Sequence, residues 1–477
     1  MENSYLIKGG TVVSIDHKIG TQSNCDILVE NGTITAVGKA LRGPEGIPTI
    51  DATDCIVSPG FVDTHRHAWQ SQLKNLTSDM LLTGYFQHIR NVYGSCYTAH
   101  DAYLGELMGA LESVDAGITC MVDHSHIMNS PAHSDAVVKA LKDSNIRAVF
   151  CYGLFVNPDW EGVAPGTVTA PTNPDWRFED ARRVRELHFS TQNGPTDLVR
   201  FGFAPAEIER YSPAQSISEV EFGRQLGAAI ITGHLSMGKM DRGYHFIRKL
   251  NEKKLLGPDL LFSHCAALAD DELQMVKNAG VHISVTPETE LQMGMGPCLS
   301  FKAEAVGCKH SLGVDVACNN PIDMFQQMRL LLQSERNSKH VAAERMPTAI
   351  SHKCEEVLRF ATMGGAECVG LKNVVGSITP GKRADLVITR TTSPRLTPVH
   401  DPVVALVLYA NVSDVDTVLI DGRIVKKDGK FADFDWTKLR KEFLQSAKDI
   451  IERSEVAPME DILNRIITEQ TWKKYEE

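Results

Sequence analysis

Nowhere in its 477 residues does the chain carry an apolar run approaching the ~20 residues a membrane-spanning helix needs, so no membrane span is expected. Blocks of Lys or Arg are missing too. Against 60 Asp+Glu stand only 49 Lys+Arg, a formal charge of −11 that argues against nucleic acid or an anionic membrane surface as the main partner. The 11 cysteines include no CxxC pair, and their odd number and scattered positions suit reduced thiols in a cytoplasmic setting. The opening residues, Met1-Glu-Asn-Ser-Tyr5, lack a basic stretch followed by an apolar one, so no secretory leader is expected. Internal repeats and low-complexity tracts are absent as well. What remains is the composition of an ordinary globular protein, 43% apolar and 23% charged, whose partner is expected to be a small molecule.

What is present is organised in three textures. Strand-like runs broken by turn signals fill the first ~58 residues, for example Asp26-Ile-Leu-Val29 before Asn31-Gly32 and Thr33-Ile-Thr-Ala-Val37. The same texture returns in Ala384-Asp-Leu-Val-Ile388 and Val415-Asp-Thr-Val-Leu-Ile420. The economical reading is one β domain assembled from both ends, residues 1–58 with 376–432. Between them, residues 59–375 alternate short apolar strands (Ile118–Val122, Ala148–Cys151, Leu260–Ser263, Val281–Val285) with helical stretches (Ala99–Ala116, Ser134–Ser144, Asp270–Ala279). Repeated βα units over this length fit a closed (β/α)₈ barrel, with an open doubly wound sheet as the rival. The Pro-, Gly- and Trp-rich stretch Asn157–Phe178 reads as a long loop that covers something, with Trp160 and Trp176 as candidate closing groups. Residues 433–477 read as a helical extension in which Leu439, Phe443, Ala447 and Ile450 share a face.

Chemistry concentrates at strand ends. An apolar strand runs into His65-Arg-His67, and residues i and i+2 of a strand project to the same side, so both imidazoles can reach one ion of the Zn²⁺ or Fe²⁺ kind. An isolated HxH is more often a pair of exposed or core histidines near a turn. Three later apolar strands, however, also end in polar residues: His234, His264 and Asp315. In a barrel the strand C-termini ring one face and their residues converge there.

These fragments, in their order, resemble the amidohydrolase superfamily, and within it the subgroup of cytosine deaminase, triazine chlorohydrolases and methylthioadenosine/S-adenosylhomocysteine deaminases. The resemblance is carried by Asp26–Ile34, Pro59-Gly-Phe-Val-Asp-Thr-His-Arg-His67, Ser263-His-Cys265, Leu312-Gly-Val-Asp315, Gly376-Ser-Ile-Thr-Pro-Gly-Lys-Arg-Ala-Asp385 and Val415–Gly422. It implies an α/β fold, a TIM-like (β/α)₈ barrel inserted in a split β-sandwich. It further implies one divalent metal, zinc first and iron as the alternative, held by His65, His67, His234 and Asp315. His264 would touch the attacked group, Asp315 would also carry the proton, and Asn319 lies in the stretch that follows the family's aspartate. The site is expected to be mononuclear, since no lysine stands where two-metal relatives carry a bridging one. A homo-oligomer, dimer or tetramer, is a further implication.

The chain departs from that pattern at substrate contacts. Met237 stands where the deaminase branch has a proton-shuttling glutamate, and a thioether cannot shuttle a proton. Ala206 and the segment Val285–Glu290 replace family histidines. The expectation is therefore a metal-dependent amidohydrolase that activates water to cleave a C–N bond, amide or amino, of a small aromatic or heterocyclic substrate. The alternatives are a metal-dependent lyase (decarboxylase or hydratase), a deaminase with an altered proton path, and a metal-free scaffold. Trp69, Gln70, His124, His126, Met237 and Glu207 are the further candidates for substrate contact. Glu207 and Glu209 could supply the missing acid, although solvated loop carboxylates are the default. Arg90 or Tyr93 could read a carboxylate, with a solvated helix face as the default.

Overall fold

The computed structural model describes residues 3–158 and 176–460. Most of the expected long loop, including Trp160, and the end of the C-terminal extension lie outside the described residues.

Five strands open the chain: β1 (Tyr5–Val13), β2 (Thr21–Glu30), β3 (Thr33–Gly38), β4 (Thr49–Asp51) and β5 (Cys55–Pro59). Eight parallel strands follow: β6 (Phe61–Arg66), β7 (Ile118–Ser125), β8 (Arg147–Gly153), β9 (Val199–Ala204), β10 (Ile231–Leu235), β11 (Leu260–His264), β12 (His282–Val285) and β13 (Lys309–Leu312). Four more complete the set: β14 (Leu386–Arg390), β15 (Val415–Ile420), β16 (Arg423–Lys427) and β17 (Lys430–Phe431).

The eight parallel strands pair in strict chain order from β6 to β13, as consecutive βα units dictate. Their residues are almost all buried, the signature of strands covered on both faces. The chain beyond β13 then returns to the first strand. Asp315 N–H donates to the His65 carbonyl at 2.9 Å, and His67 N–H donates to the Asp315 carbonyl at 3.0 Å. Gly313 makes this approach possible, because a Cβ there would sit 2.9 Å from the His65 nitrogen, carbonyl oxygen and Cβ. The result is the nearly closed barrel expected from the sequence, not the open sheet.

A separate mixed sheet of nine strands draws β1–β5 from one end of the chain and β14–β17 from the other, joined where β14 runs antiparallel to β5. The buried Arg147 at the start of β8 fastens it to the barrel. Its Nε and Nη2 meet the two Asp385 carboxylate oxygens at 2.8 and 3.0 Å, and Nη2 also reaches Asp421 at 3.0 Å. Such planar two-point pairing is the arrangement in which a buried ion pair recovers its desolvation cost. A final helix, Trp436–Ser454, is capped by Asp435 and buries Leu439 and Ile450; Leu439 packs beside Leu104, Leu107 and Leu111. Among the described residues no helix is long and apolar enough to cross a membrane.

Candidate metal centre

Each of the strand-end residues singled out above points into the same mouth of the barrel. His67 presents Nδ1 to the His124 carbonyl at 2.7 Å, which fixes Nδ1 as the donor and leaves Nε2 a lone pair. His234 gives Nδ1–H to Glu207 Oε2 at 2.9 Å, which likewise leaves its Nε2 bare. These two bare nitrogens face each other at 3.2 Å. His65 turns Nδ1 to Ser263 Oγ at 2.8 Å and brings Nε2 to 3.2 Å from Asp315 Oδ1, an approach that does not satisfy it as a hydrogen bond. The same carboxylate oxygen stands 3.4 Å from His67 Nε2.

Lone pairs crowded together in a buried place repel unless something positive lies between them. Neighbouring ligands ~2.0–2.1 Å from one ion stand about 2.9–3.5 Å apart, and the three separations above fall in that range. Three imidazole nitrogens and one carboxylate are also a donor set suited to zinc. Residues and spacing therefore fit a divalent ion. The protonation states agree: burial, with the neighbouring histidines, holds His67 well below the ordinary histidine range, and burial takes His65 down to about 4. Burial would raise Asp315, but its contact with His65 and the surrounding histidines outweighs that and leaves it at about 2. Neutral imidazoles beside an ionised carboxylate are the forms that ligate.

His264, at the end of β11, is set differently. Its Nδ1 faces Thr286 Oγ1 at 3.1 Å and Glu290 Oε1 at 3.4 Å. Burial pulls it down, but Glu290, Asp315 and Glu207 together pull it above the ordinary histidine range. His264, Cys265 and Asp315 all hold left-handed backbone, at φ of 73°, 56° and 67°. Such torsions are uncommon outside glycine and recur at functional sites, where surrounding structure enforces them. Leu82, Tyr85, Phe86, Arg90, Met237, Met293, Met295 and Val316 complete the wall around His67, His234, His264 and Asp315. The free space inside is only about 10 Å³, so a substrate enters when wall side chains move, and unbranched methionines are suited to that.

The Amidohydrolase family sequence model matches residues 56–425, most of the chain and all of the residues just described. The chain belongs to the amidohydrolase family. It is 27% identical over 457 residues to a 5'-deoxyadenosine deaminase of Methanosarcina mazei, a match covering 94% of this chain and 98% of that one. It is 29% identical over 452 residues to a 5-methylthioadenosine/S-adenosylhomocysteine deaminase of Pyrococcus furiosus, covering 92% and 99%. Among solved structures it resembles a zinc-bound adenosine deaminase from Xanthomonas campestris, with a TM-score of 0.80 and 23% identity over 94% of this chain and 98% of that one. An atrazine chlorohydrolase from Arthrobacter aurescens complexed with zinc gives 0.77 and 19%, over 93% and 100%.

In this amidohydrolase several candidate side chains stand behind the wall instead of in it. Trp69 is fully buried, donates Nε1–H to His126 Nδ1 at 2.9 Å and packs edge-on against Tyr97. His126 in turn stacks on His67 at 4.1 Å between centroids, so the pair buttresses a wall histidine. Gln70 holds the Tyr85 hydroxyl at 2.7 Å, and Asn319 meets Gln292 and Asn320. His124 stays near, its ring nitrogen within 4.8 Å of those of His65, His67 and His234. Met237 lines the cavity as its place in the sequence implied. Glu207 and Arg90 overturn the solvated default: both are buried, the first locked to His234 and the second inside the cavity wall. Leu82, Phe86, Met293 and Met295 carried no signal in the sequence beyond a Met-Gly-Met stretch.

Proposed function

We propose that this amidohydrolase is a mononuclear metal-dependent hydrolase that uses water to release an amine or ammonia from a small aromatic or heterocyclic substrate. The observation that carries the reading is the set of bare nitrogen and carboxylate atoms of His65, His67, His234 and Asp315, close enough together to hold one divalent ion that would take a water as a further ligand. Zinc is the ion of choice for that donor set. When bound, such an ion lowers the pKa of a coordinated water from ~16 towards ~7 and so supplies a nucleophile at neutral pH.

The protein's own groups do the rest. Asp315, ionised and buried, accepts the proton of the attacking water and passes it to the departing nitrogen. His264, whose hold on a proton Glu290 strengthens, keeps Nδ1 on Thr286 and Glu290 and, when protonated, offers Nε2–H to the oxygen on which negative charge develops. Glu207 fixes the His234 ring and its tautomer. Met237 and the other methionines exclude water and grip an apolar ring. The relatives named as deaminases of adenosine derivatives favour an amino-heterocycle, while Met237, which cannot protonate a ring nitrogen, favours a substrate that needs no such help. All 11 cysteines are unpaired thiols, which supports a cytoplasmic home.

The test is turnover by zinc-loaded protein of a panel of amides and aminated heterocycles in ¹⁸O-labelled water. Labelled product together with released amine or ammonia, and stoichiometric zinc that a chelator removes, is the expected result. Unlabelled product would instead identify a decarboxylase, labelled product without released amine or ammonia a hydratase, and a chain that binds no metal would end the reading.

A further inference from the structure

Arg90 poses a question the metal centre does not answer. It is fully buried and lines the same cavity as His67, His234 and Asp315, yet its Nε and Nη1 have no hydrogen-bond partner. Its third nitrogen has Asn157 Oδ1 at 3.5 Å, the far limit of a hydrogen bond, and its other polar contact is the neutral Tyr85 hydroxyl, so no carboxylate pairs with it. The contrast with Arg147 is instructive, since that equally buried guanidinium is pinned at two points to Asp385. Of the other buried arginines, Arg66 has the Glu112 carboxylate at 3.5 Å although none of its nitrogens is hydrogen-bonded, and Arg177 and Arg200 donate to the backbone carbonyls of Met128 and Val369, outside this cavity. Burying a guanidinium without a counter-ion is strongly unfavourable, so an arginine kept this way in a binding cavity is waiting for an anion.

The surroundings say where that anion sits. The Phe155 ring covers one face of the guanidinium at 3.6 Å, which holds its plane and leaves the N–H edges as the available donors. Tyr85 lines the cavity beside it; its hydroxyl oxygen accepts from Gln70, so its own proton is free to donate inward. Burial pushes that hydroxyl above the ordinary tyrosine range, so it remains a donor, and takes Arg90 to about 10, still charged at neutral pH. The Glu207 carboxylate acts on Arg90 at longer range, but its Oε2 is committed to His234. Apart from the metal-centre residues, the rest of the lining, with Leu82, Phe86, Met237, Met293 and Met295, is apolar.

We infer that Arg90 and Tyr85 receive a carboxylate of the substrate, which is then a small acid with an apolar or aromatic body whose C–N bond lies at the metal centre. This deepens the hydrolase reading and rests on it. An acid so held is oriented before reaction, and neutral analogues are refused because they leave a buried charge unpaired.

Calorimetric titration of the zinc-loaded protein with benzoate and with benzamide tests this. Benzoate is expected to bind more tightly. Arg90→Gln should weaken benzoate by about 10- to 100-fold, the range for a lost hydrogen bond to a charged group, with benzamide binding and zinc content unchanged. If Arg90→Gln does not fold, Arg90→Lys and Tyr85→Phe should each weaken benzoate several-fold and spare benzamide. Unchanged benzoate affinity, equal loss on both probes, or a wild type indifferent to the carboxylate overturns the inference while leaving the hydrolase reading intact. Failure to hold zinc overturns the hydrolase reading instead.

Discussion

The bond from His234 to Glu207 offers the most direct trial of the metal centre. Glu207 Oε2 accepts Nδ1–H at 2.9 Å in a setting where both side chains are buried. It does two things there: it fixes the tautomer that leaves Nε2 bare, and it supplies negative charge. With Asp315, it makes up two negative charges beside a site built for a doubly positive ion. Burial alone would raise this carboxylate, but the histidine contact, with Arg90 and His264 at longer range, keeps it below the ordinary range and therefore charged. Glu207→Gln keeps an acceptor oxygen and removes the charge, whereas Glu207→Ala removes both and strands the Nδ1–H without a partner. Outer-shell partners of this type are worth about 10- to 100-fold in metal affinity, or about 1.4 to 2.8 kcal/mol. The glutamine variant belongs at the lower end and the alanine variant at the upper end. Competition with a chromophoric chelator measures both, with thermal unfolding of the metal-free protein as a control for fold. A Glu207→Ala protein that holds zinc as tightly as the wild type would refute the argument.

Other consequences are equally open to measurement. Asp315→Asn should lower turnover by about 10²- to 10⁴-fold with the fold intact, and retained activity would remove the proton-transfer role. Met237→Glu restores a protonating group in the cavity wall and should confer ammonia release from 5'-deoxyadenosine; no release above wild type means that Met237 is not what bars that chemistry. Gly313→Ala drives a methyl group into His65, at 2.9 Å from its backbone, and should cost about 1–3 kcal/mol in thermal unfolding together with weakened metal binding. Burial, with Asp323 adding to it, raises Glu288 to about 7. The folded chain thus keeps that proton to higher pH than the unfolded one, so the associated stability is full below about 4.3 and lost as pH rises through about 7. Glu288→Gln should match the wild type at pH 4 and exceed it by about 1–3 kcal/mol at pH 8; a pH-independent difference would contradict the assignment.

The parts of the molecule legible in the sequence are those fixed by short-range pattern. The helix expected at Asp270–Ala279 is found over those residues, and the one expected at Ala99–Ala116 runs Ala99–Asp115. Gly313 and the closing contact between His65 and Asp315 are invisible to such patterns, yet the strand-end positions of His65, His67, His234, His264 and Asp315 were enough to place them around one mouth. Groups whose role depends on what folds over them were misjudged. Arg90 reads as a helix-surface cation because three neighbouring residues, Gln87, His88 and Asn91, are polar; in space its turn faces Phe155 and the cavity. Glu207 looks like a loop carboxylate until β10 brings His234 against it. Trp69 and Gln70 follow the HxH so closely that cavity contact was the natural expectation. The chain turns away at once, and the two act through His126 and Tyr85.

The same two backbone hydrogen bonds that tie Asp315 to His65 and His67 are also the join between the first and last barrel strands. The centre therefore straddles a seam between segments some 250 residues apart in the chain. Contacts so distant are the slowest to form, because loop entropy opposes them until the intervening helices and strands have collapsed. A cation gripped from both sides of that seam acts as a rivet. By this reasoning its capture would complete the last stage of assembly, and its loss would loosen the barrel at the proposed site of reaction.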